Sequence, residues 1–324
     1  MIRHGFVQLL AVFLALPVGA AAFDLQGHRG TRGLAPENTL AAFARALAIG
    51  VTTLETDLAV THDGVLVLSH EPFLNPALTR DATGTWLKAA GPNIHSLMLA
   101  EVREFDVGRL NPEHSYGRSW PEQVASDGER VPTFDELIAL VRARNSTVRL
   151  NVETKITPDS GASTPPPGEF ARLVVAALDR AKLGDRVTIQ SFDWRTLIEI
   201  KRMRPQQATA CLTIEAETMN TMHVDASGAS PWHAGLRANE HGSVPRLVKA
   251  AGCETWSMFW RNLTPALAAE ARSLGLKVLP WTVNDPAEMA RLIDLDVDGL
   301  ITDYPDRLRK VMAAKGLPLP PAHR

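Results

Sequence analysis

The chain reads as an α/β protein, a (β/α)₈ barrel, and three observations predict it. Short apolar strands recur near residues 25, 53, 150, 189, 210, 256, 279 and 300, with helix-patterned segments between them. Eight such units in 324 residues suit one closed parallel barrel. The residues able to do chemistry also fall at the C-terminal ends of these strands. They are His28, Glu55, Glu153 with Lys155, Gln190 with Ser191, Trp281 and Asp303. Barrels of this kind place their active sites at that end.

The N-terminus comes first. Arg3 and His4 precede the apolar run Phe6–Val18, and Ala20-Ala21-Ala22 supplies a small-residue cleavage signal. This pattern predicts a secretory signal peptide over residues 1–22, with an export route to the periplasm and no stable membrane span after cleavage. Residues 23–324 are then one barrel domain. A net charge of −2 and the absence of a basic stripe give no reason to expect a nucleic-acid partner. The two cysteines, Cys211 and Cys253, exclude a disulfide-dependent scaffold. Pairing across neighbouring strands and persistence as buried thiols are both compatible with the sequence.

Asp24–His28 is the first strand, running into Gly27-His28-Arg29-Gly30, where glycine lets the backbone turn and approach a ligand. Pro36-Glu37-Asn38-Thr39 is read as opening a helix that ends before Gly50, with Leu40, Phe43 and Leu47 on its apolar face. A hairpin follows, with Thr53–Val60 and Val65–Ser69 flanking Thr61-His62-Asp63-Gly64. A four-residue loop sets Val60 opposite Val65 and Glu55 opposite His70, with Cβ atoms roughly 4.5–5.5 Å apart. Glu55 and Asp57 share a strand face. Two carboxylates and an imidazole in an apolar segment call for a cation or a charged substrate.

Residues 71–147 are punctuated by Pro and Gly and read as an insertion over the site, with a short helix at Leu99–Phe105 and a longer one at Phe134–Arg144. The remaining elements alternate. Strands are expected at Val148–Glu153, Val187–Ser191, Ala208–Thr213, Glu254–Met258, Lys277–Thr282 and Gly299–Thr302. Helices are expected at Phe170–Leu183, Trp194–Met203, Val244–Ala251, Pro265–Leu274 and Pro286–Asp294. A second variable segment covers 214–242. Asp303 is read as orienting a loop. His62, His95, His114, His233 and His241 are read as solvated loop residues.

The motifs resemble those of the glycerophosphodiester phosphodiesterases, within the phospholipase-C-like barrel superfamily. His28-Arg29-Gly30 with Pro36-Glu37-Asn38-Thr39 is similar to the opening motif, and Glu55-Thr56-Asp57, Asp63-Gly64 and Val67-Leu68-Ser69-His70 to the second block. Glu153-Thr154-Lys155, Gln190-Ser191-Phe192, Trp281-Thr282-Val283 and Thr302-Asp303-Tyr304-Pro305 resemble the later ones. The resemblance implies hydrolysis of a glycerophosphodiester to glycerol 3-phosphate and an alcohol. It implies one divalent cation, Ca²⁺ or Mg²⁺, on Glu55, Asp57 and Glu153, acid–base catalysis by His28 and His70, phosphate contact by Arg29 and Lys155, and Trp281 as a pocket wall. It also implies that the insertions set substrate choice. Elementary chemistry reaches part of this independently. Three carboxylates without cysteine form a hard, all-oxygen set that suits Ca²⁺ or Mg²⁺ better than Zn²⁺, and two imidazoles suit proton transfer near neutrality. Two rival readings follow. One is a phosphodiesterase acting on lipid or lysolipid, favoured by Phe73, Leu74, Trp86 and Leu87 in the insertion. The other is a non-catalytic phosphodiester-binding barrel.

Overall fold

The computed structural model describes residues 22–323. The expected leader lies outside them, apart from Ala22. Nine strands are assigned: β1 (Asp24–Gly27), β2 (Thr53–Val60), β3 (Leu66–Leu68), β4 (Arg149–Thr154), β5 (Val187–Ser191), β6 (Ala208–Thr213), β7 (Thr255–Met258), β8 (Lys277–Val278) and β9 (Gly299–Thr302). All but β3 are parallel neighbours in the order β8-β7-β6-β5-β4-β2-β1-β9. The ends of this row meet through Ile301 N–H to Pro280 O, 3.1 Å, and Val283 N–H to Ile301 O, 2.9 Å. The eight expected strands therefore form the nearly closed barrel that the sequence predicts. β3 pairs antiparallel with β2 and stands off the ring.

The helices are α1 (Leu40–Ile49), α2 (Leu99–Val102), α3 (Ser115–Arg118), α4 (Phe134–Ala143), α5 (Pro167–Ala181), α6 (Trp194–Met203), α7 (Val244–Ala250), α8 (Pro265–Ser273), α9 (Pro286–Asp294) and α10 (Pro305–Ala314). Side chains of Thr39, Thr133, Asp193, Ser243, Thr264 and Asp285 accept hydrogen bonds from the first-turn N–H groups of α1, α4, α6, α7, α8 and α9. Each offsets donors the helix cannot satisfy itself. One core runs between the strands and the outer helices, with Phe43, Phe134, Phe170, Trp194 and Trp256 fully buried in it. A second, smaller cluster of Ala59, Val67, Leu74, Ile94, Val102 and Val131 holds the insertion on the hairpin.

Several expectations are corrected. The hairpin register is one residue off: Val60 pairs with Leu66 and Leu58 with Leu68. Thr61 N–H bonds Val65 O, and Gly64 takes φ +77°, so the loop is His62-Asp63-Gly64, a turn closed by a left-handed glycine. Glu55 therefore does not face His70, which lies past the last paired residue. The first helix begins at Leu40 rather than Pro36, because Asn38 is left-handed at φ +55° and cannot join it. α2 stops at Val102, short of Phe105. β8 ends at Val278, because Pro280 has no N–H for the ladder. Cys211 and Cys253, which the sequence left open to either state, are joined as a disulfide, Cα to Cα 5.9 Å. His233 is fully buried, stacked on Trp194 with centroids 4.8 Å apart, and is not a solvated loop residue.

Candidate active site

The site is built at the C-terminal mouth of the barrel, where β1 hands over to a tight loop. A Cβ on Gly27 would lie 2.2 Å from Gly30 O, and one on Gly30, at φ +83°, would strike the backbone of Ala42 at 2.8 Å. Only glycine fits both places. The resulting turn puts Arg29 N–H 2.8 Å from Glu55 Oε2, while His28 N–H bonds Thr302 O at the end of β9 at 2.9 Å.

Glu55, Asp57 and Glu153 are all buried, and each offers a carboxylate oxygen within 4.8 Å of the others. Their remaining bonds fix them in place. Gln190 Nε2 donates to Glu55 Oε1 at 2.9 Å, Asn38 Nδ2 to Asp57 Oδ2 at 2.9 Å, and Lys155 Nζ to Glu153 Oε1 at 2.8 Å. Burial, with Asp57 close by, holds the Glu55 carboxyl well above the ordinary carboxylate range, and burial lifts that of Glu153 to about 7. Burial acts on Asp57 too, but Arg29 and Lys155 outweigh it and keep its carboxyl below the usual value. The set is thus short of positive charge even with Lys155 Nζ 3.8 Å from Asp57 Oδ1. A buried, crowded, all-oxygen donor set of this kind could hold a hard divalent cation.

The two histidines share one design. His28 Nδ1–H donates to Asp303 Oδ1 at 2.7 Å, and its Nε2 lies 4.0 Å from Glu55 Oε2. His70 Nδ1–H donates to Glu71 Oε1 at 2.8 Å. A carboxylate on Nδ1 fixes the tautomer and leaves Nε2 with its lone pair free. Burial pulls the His28 imidazole below its ordinary value despite Asp303. Burial, reinforced by Arg29 and Lys155, holds His70 lower still.

Asp303 does more than orient a loop. Besides His28 it accepts Arg32 Nε at 2.8 Å and Nη2 at 3.0 Å, and Asn284 Nδ2 at 2.7 Å. Against the effect of burial, Arg32 and His28 hold its carboxyl far below the usual range. Arg29 Nη1 donates to Glu37 Oε1 at 2.5 Å, while its Nε, 3.4 Å from Asp57 Oδ2, has no aligned partner. Trp281 lies across the mouth, edge-on to Phe192 (5.4 Å) and tilted to Phe259 (5.9 Å), with a buried, unpartnered indole N–H. The residues given roles in the site from the sequence, His28, Arg29, Glu55, Asp57, His70, Glu153, Lys155 and Trp281, are brought together around this mouth. Sequence reading left Arg32, Glu37, Asn38, Gln190, Asn284 and Tyr116 without roles. Gln190 and Asn38 sit in motifs and carried a signal. Arg32 and Tyr116 lie in stretches without periodic pattern in the sequence and carried none.

The profile of the glycerophosphoryl diester phosphodiesterase family matches residues 28–307. The chain belongs to that family. Relatives agree along nearly the whole length. A Bacillus subtilis glycerophosphodiester phosphodiesterase is 29% identical over 93% of this chain and 94% of its own. One from Caldanaerobacter subterraneus is 27% identical over 89% and 97%. A crystal structure from Silicibacter pomeroyi, provisionally assigned as a glycerophosphoryl diester phosphodiesterase, superposes with a TM-score of 0.81 at 36% identity, covering 92% of this chain and 95% of that one. An Oleispira antarctica phosphodiesterase solved with its product sn-glycerol 3-phosphate shares the fold, with a TM-score of 0.66 at 21% identity over 90% of this chain and 97% of that one. Within this family fold, the six charged groups His28, Arg29, Glu55, Asp57, Glu153 and Lys155 come from three neighbouring strands, β1, β2 and β4, and the loops that follow them.

Proposed function

We propose that the chain hydrolyses glycerophosphodiesters to sn-glycerol 3-phosphate and an alcohol. The observation that carries this reading is the meeting, at one barrel mouth, of three buried carboxylates with two histidines whose Nδ1 atoms are both held by carboxylates. Family membership supplies the substrate class.

Glu55, Asp57 and Glu153 would hold the cation, Ca²⁺ or Mg²⁺, which when bound withdraws charge from a phosphoryl oxygen and acidifies the attacking hydroxyl. Arg29 and Lys155 stay protonated in their carboxylate surroundings and offset charge on the remaining phosphate oxygens. His28 and His70 divide the proton traffic. One removes the proton from the attacking oxygen, and the other returns one to the departing alcohol oxygen. Asp303 stabilises the imidazolium as His28 takes up its proton. The glycerol 2-hydroxyl is the first nucleophile and water then opens the cyclic phosphate, so a 2-deoxy substrate should not turn over. Trp281 walls the pocket against the glycerol carbons.

The lipid alternative keeps a narrower base. Leu74 and Leu87 pack with the insertion's own core and Trp86 lies under the Arg80 guanidinium, 5.5 Å to the centroid, whereas Phe73 and Leu74 line a pocket beside His70 and Glu71. Among the described residues, no helix is long and apolar enough to cross a membrane. Export to the periplasm is part of the proposal. The Cys211–Cys253 disulfide, a bond that persists in oxidising compartments, supports it.

The decisive assay couples glycerophosphocholine hydrolysis to glycerol 3-phosphate detection, after chelation and with Ca²⁺ or Mg²⁺ restored, beside a His28→Ala control. Metal-dependent product that vanishes in the control is expected. No product with either metal, on any glycerophosphodiester offered, would overturn the proposal.

A further inference from the structure

The insertion does more than roof the site. Its short helix α3 carries Tyr116, whose hydroxyl donates to Glu37 Oε2 and accepts from Arg32 Nη1 at 3.1 Å. Those two partners lead in different directions. Glu37 Oε1 accepts Arg29 Nη1, the phosphate arm. Arg32 forks onto both oxygens of Asp303, and Asp303 Oδ1 holds His28 Nδ1, the proton-transfer arm. Tyr116 is therefore bonded to both arms. The same stretch of insertion holds Arg32 at two further points and the chain two residues beyond it at a third. The indole of Trp120 lies under its guanidinium at 4.3 Å, Gln123 Nε2 donates to Arg32 O at 2.7 Å, and Val124 N–H bonds Leu34 O at 3.0 Å.

A hydroxyl suits this junction for a physical reason. It stands between a guanidinium that can only donate and a carboxylate that can only accept, and a neutral O–H satisfies both at once. Phenylalanine would fill the same space and leave an Arg32 N–H and a Glu37 oxygen unpaired in a largely buried place.

We propose that Tyr116 is a positioning residue: the seating of the insertion sets, through Arg32 and Glu37, the orientation of both His28 and Arg29. The insertion then tunes the rate of the chemical step, beyond any part it has in substrate choice. This inference rests on the reading of the site as a glycerophosphodiesterase.

The test compares the full mature chain with Tyr116→Phe, Arg32→Lys and the double variant on glycerophosphocholine at saturating Ca²⁺. Tyr116→Phe should lower kcat about tenfold, with KM moving less than about threefold. Its melting temperature should stay within about 4 °C of the parent. Combined with Arg32→Lys, it should cost less than the product of the two single losses, because both act along one chain of contacts. An unchanged kcat, a loss that tracks only melting temperature, or fully multiplicative effects would overturn the proposal. A second readout needs no turnover. The downfield proton resonance of the His28 Nδ1–H, assigned by its disappearance in His28→Ala, should shift or broaden in Tyr116→Phe. Its persistence unaltered would overturn the proposal. If the parent chain itself proves inactive on glycerophosphodiesters, the functional reading falls, and this resonance alone decides whether Tyr116 positions His28. Should Tyr116→Phe fail to fold, Arg32→Lys carries the same expectations, since an ammonium keeps the charge but cannot fork onto Asp303.

Discussion

The mouth of the barrel has two unlike halves. Strands β4, β2, β1 and β9 are contiguous in the sheet, and from their ends come His28 with its support Asp303, all three carboxylates of the triad, and Arg29 and Lys155. His70 and its support Glu71 follow β3, the arm paired with β2. Strands β5 to β8 contribute Gln190 and then an aromatic wall of Phe192, Phe259 and Trp281. Charge concentrates on one side and apolar surface on the other. The division teaches that chemistry and fit are assigned to separate arcs of one ring. A charged group in the barrel is costly unless its neighbours compensate it, so charged groups cluster. The aromatic arc has no such constraint and is free to serve shape.

The largest expected effect tests the charged arc at its centre. Added Ca²⁺ should raise the melting temperature of the parent, and Glu55→Gln or Asp57→Asn should abolish that rise and lower kcat about 10³-fold. Retained stabilisation by the ion in either variant would mean that it binds elsewhere. Next comes Asp303→Asn, which sets an amide against His28 Nδ1 and favours the wrong tautomer. A loss of about 10² in kcat, with KM nearly constant, is expected in steady-state kinetics. Trp281→Ala sharpens the comparison from the other arc. KM should rise about tenfold while kcat stays within about threefold. A kcat loss as deep as that of Asp303→Asn would break the division between the arcs.

The smallest effect lies outside both arcs. Burial lowers the pKa of His233 against the opposing effect of the Thr221 backbone. The unfolded chain then binds the proton more readily than the folded one. Stability from this group is full above pH ~6.5 and declines as pH falls from there toward its lowered folded value. Melting temperatures of the parent should drop over that interval by more than those of His233→Phe, which keeps the stack on Trp194 without the titration. Identical pH profiles would show that His233 is already solvated when the chain is folded.

Much of the fold was legible because each barrel unit is written locally. The strand bounds at Val187–Ser191, Ala208–Thr213 and Gly299–Thr302 and the helix bounds at Trp194–Met203 and Pro286–Asp294 follow from short apolar runs and capping residues. The triad was legible because it occupies two strands with a two-residue period. What escaped was set by long-range geometry. Whether the hairpin loop has three or four residues turns on the Thr61–Val65 pairing, and the Asp-Gly signal accommodates both. Asp303 looked like a loop anchor because His28 is 275 positions away. Tyr116 stands in a stretch without periodicity, and only the folded insertion shows what its hydroxyl reaches. His233 sits among polar loop residues, and nothing in that composition announces the indole it covers.

The disulfide has a consequence for how this barrel can change. Cys211 lies in β6 and Cys253 just before β7, 42 positions apart, and the variable segment 214–242 falls wholly between them. A cross-link over such a span removes about 4 kcal/mol of chain entropy from the unfolded state, by the loop-closure model. Because closure entropy grows only with the logarithm of loop length, adding ten residues inside the bracket costs a few tenths of a kcal/mol. The segment has fastened ends, so its exposed parts can change in length while strands β6 and β7 keep their register.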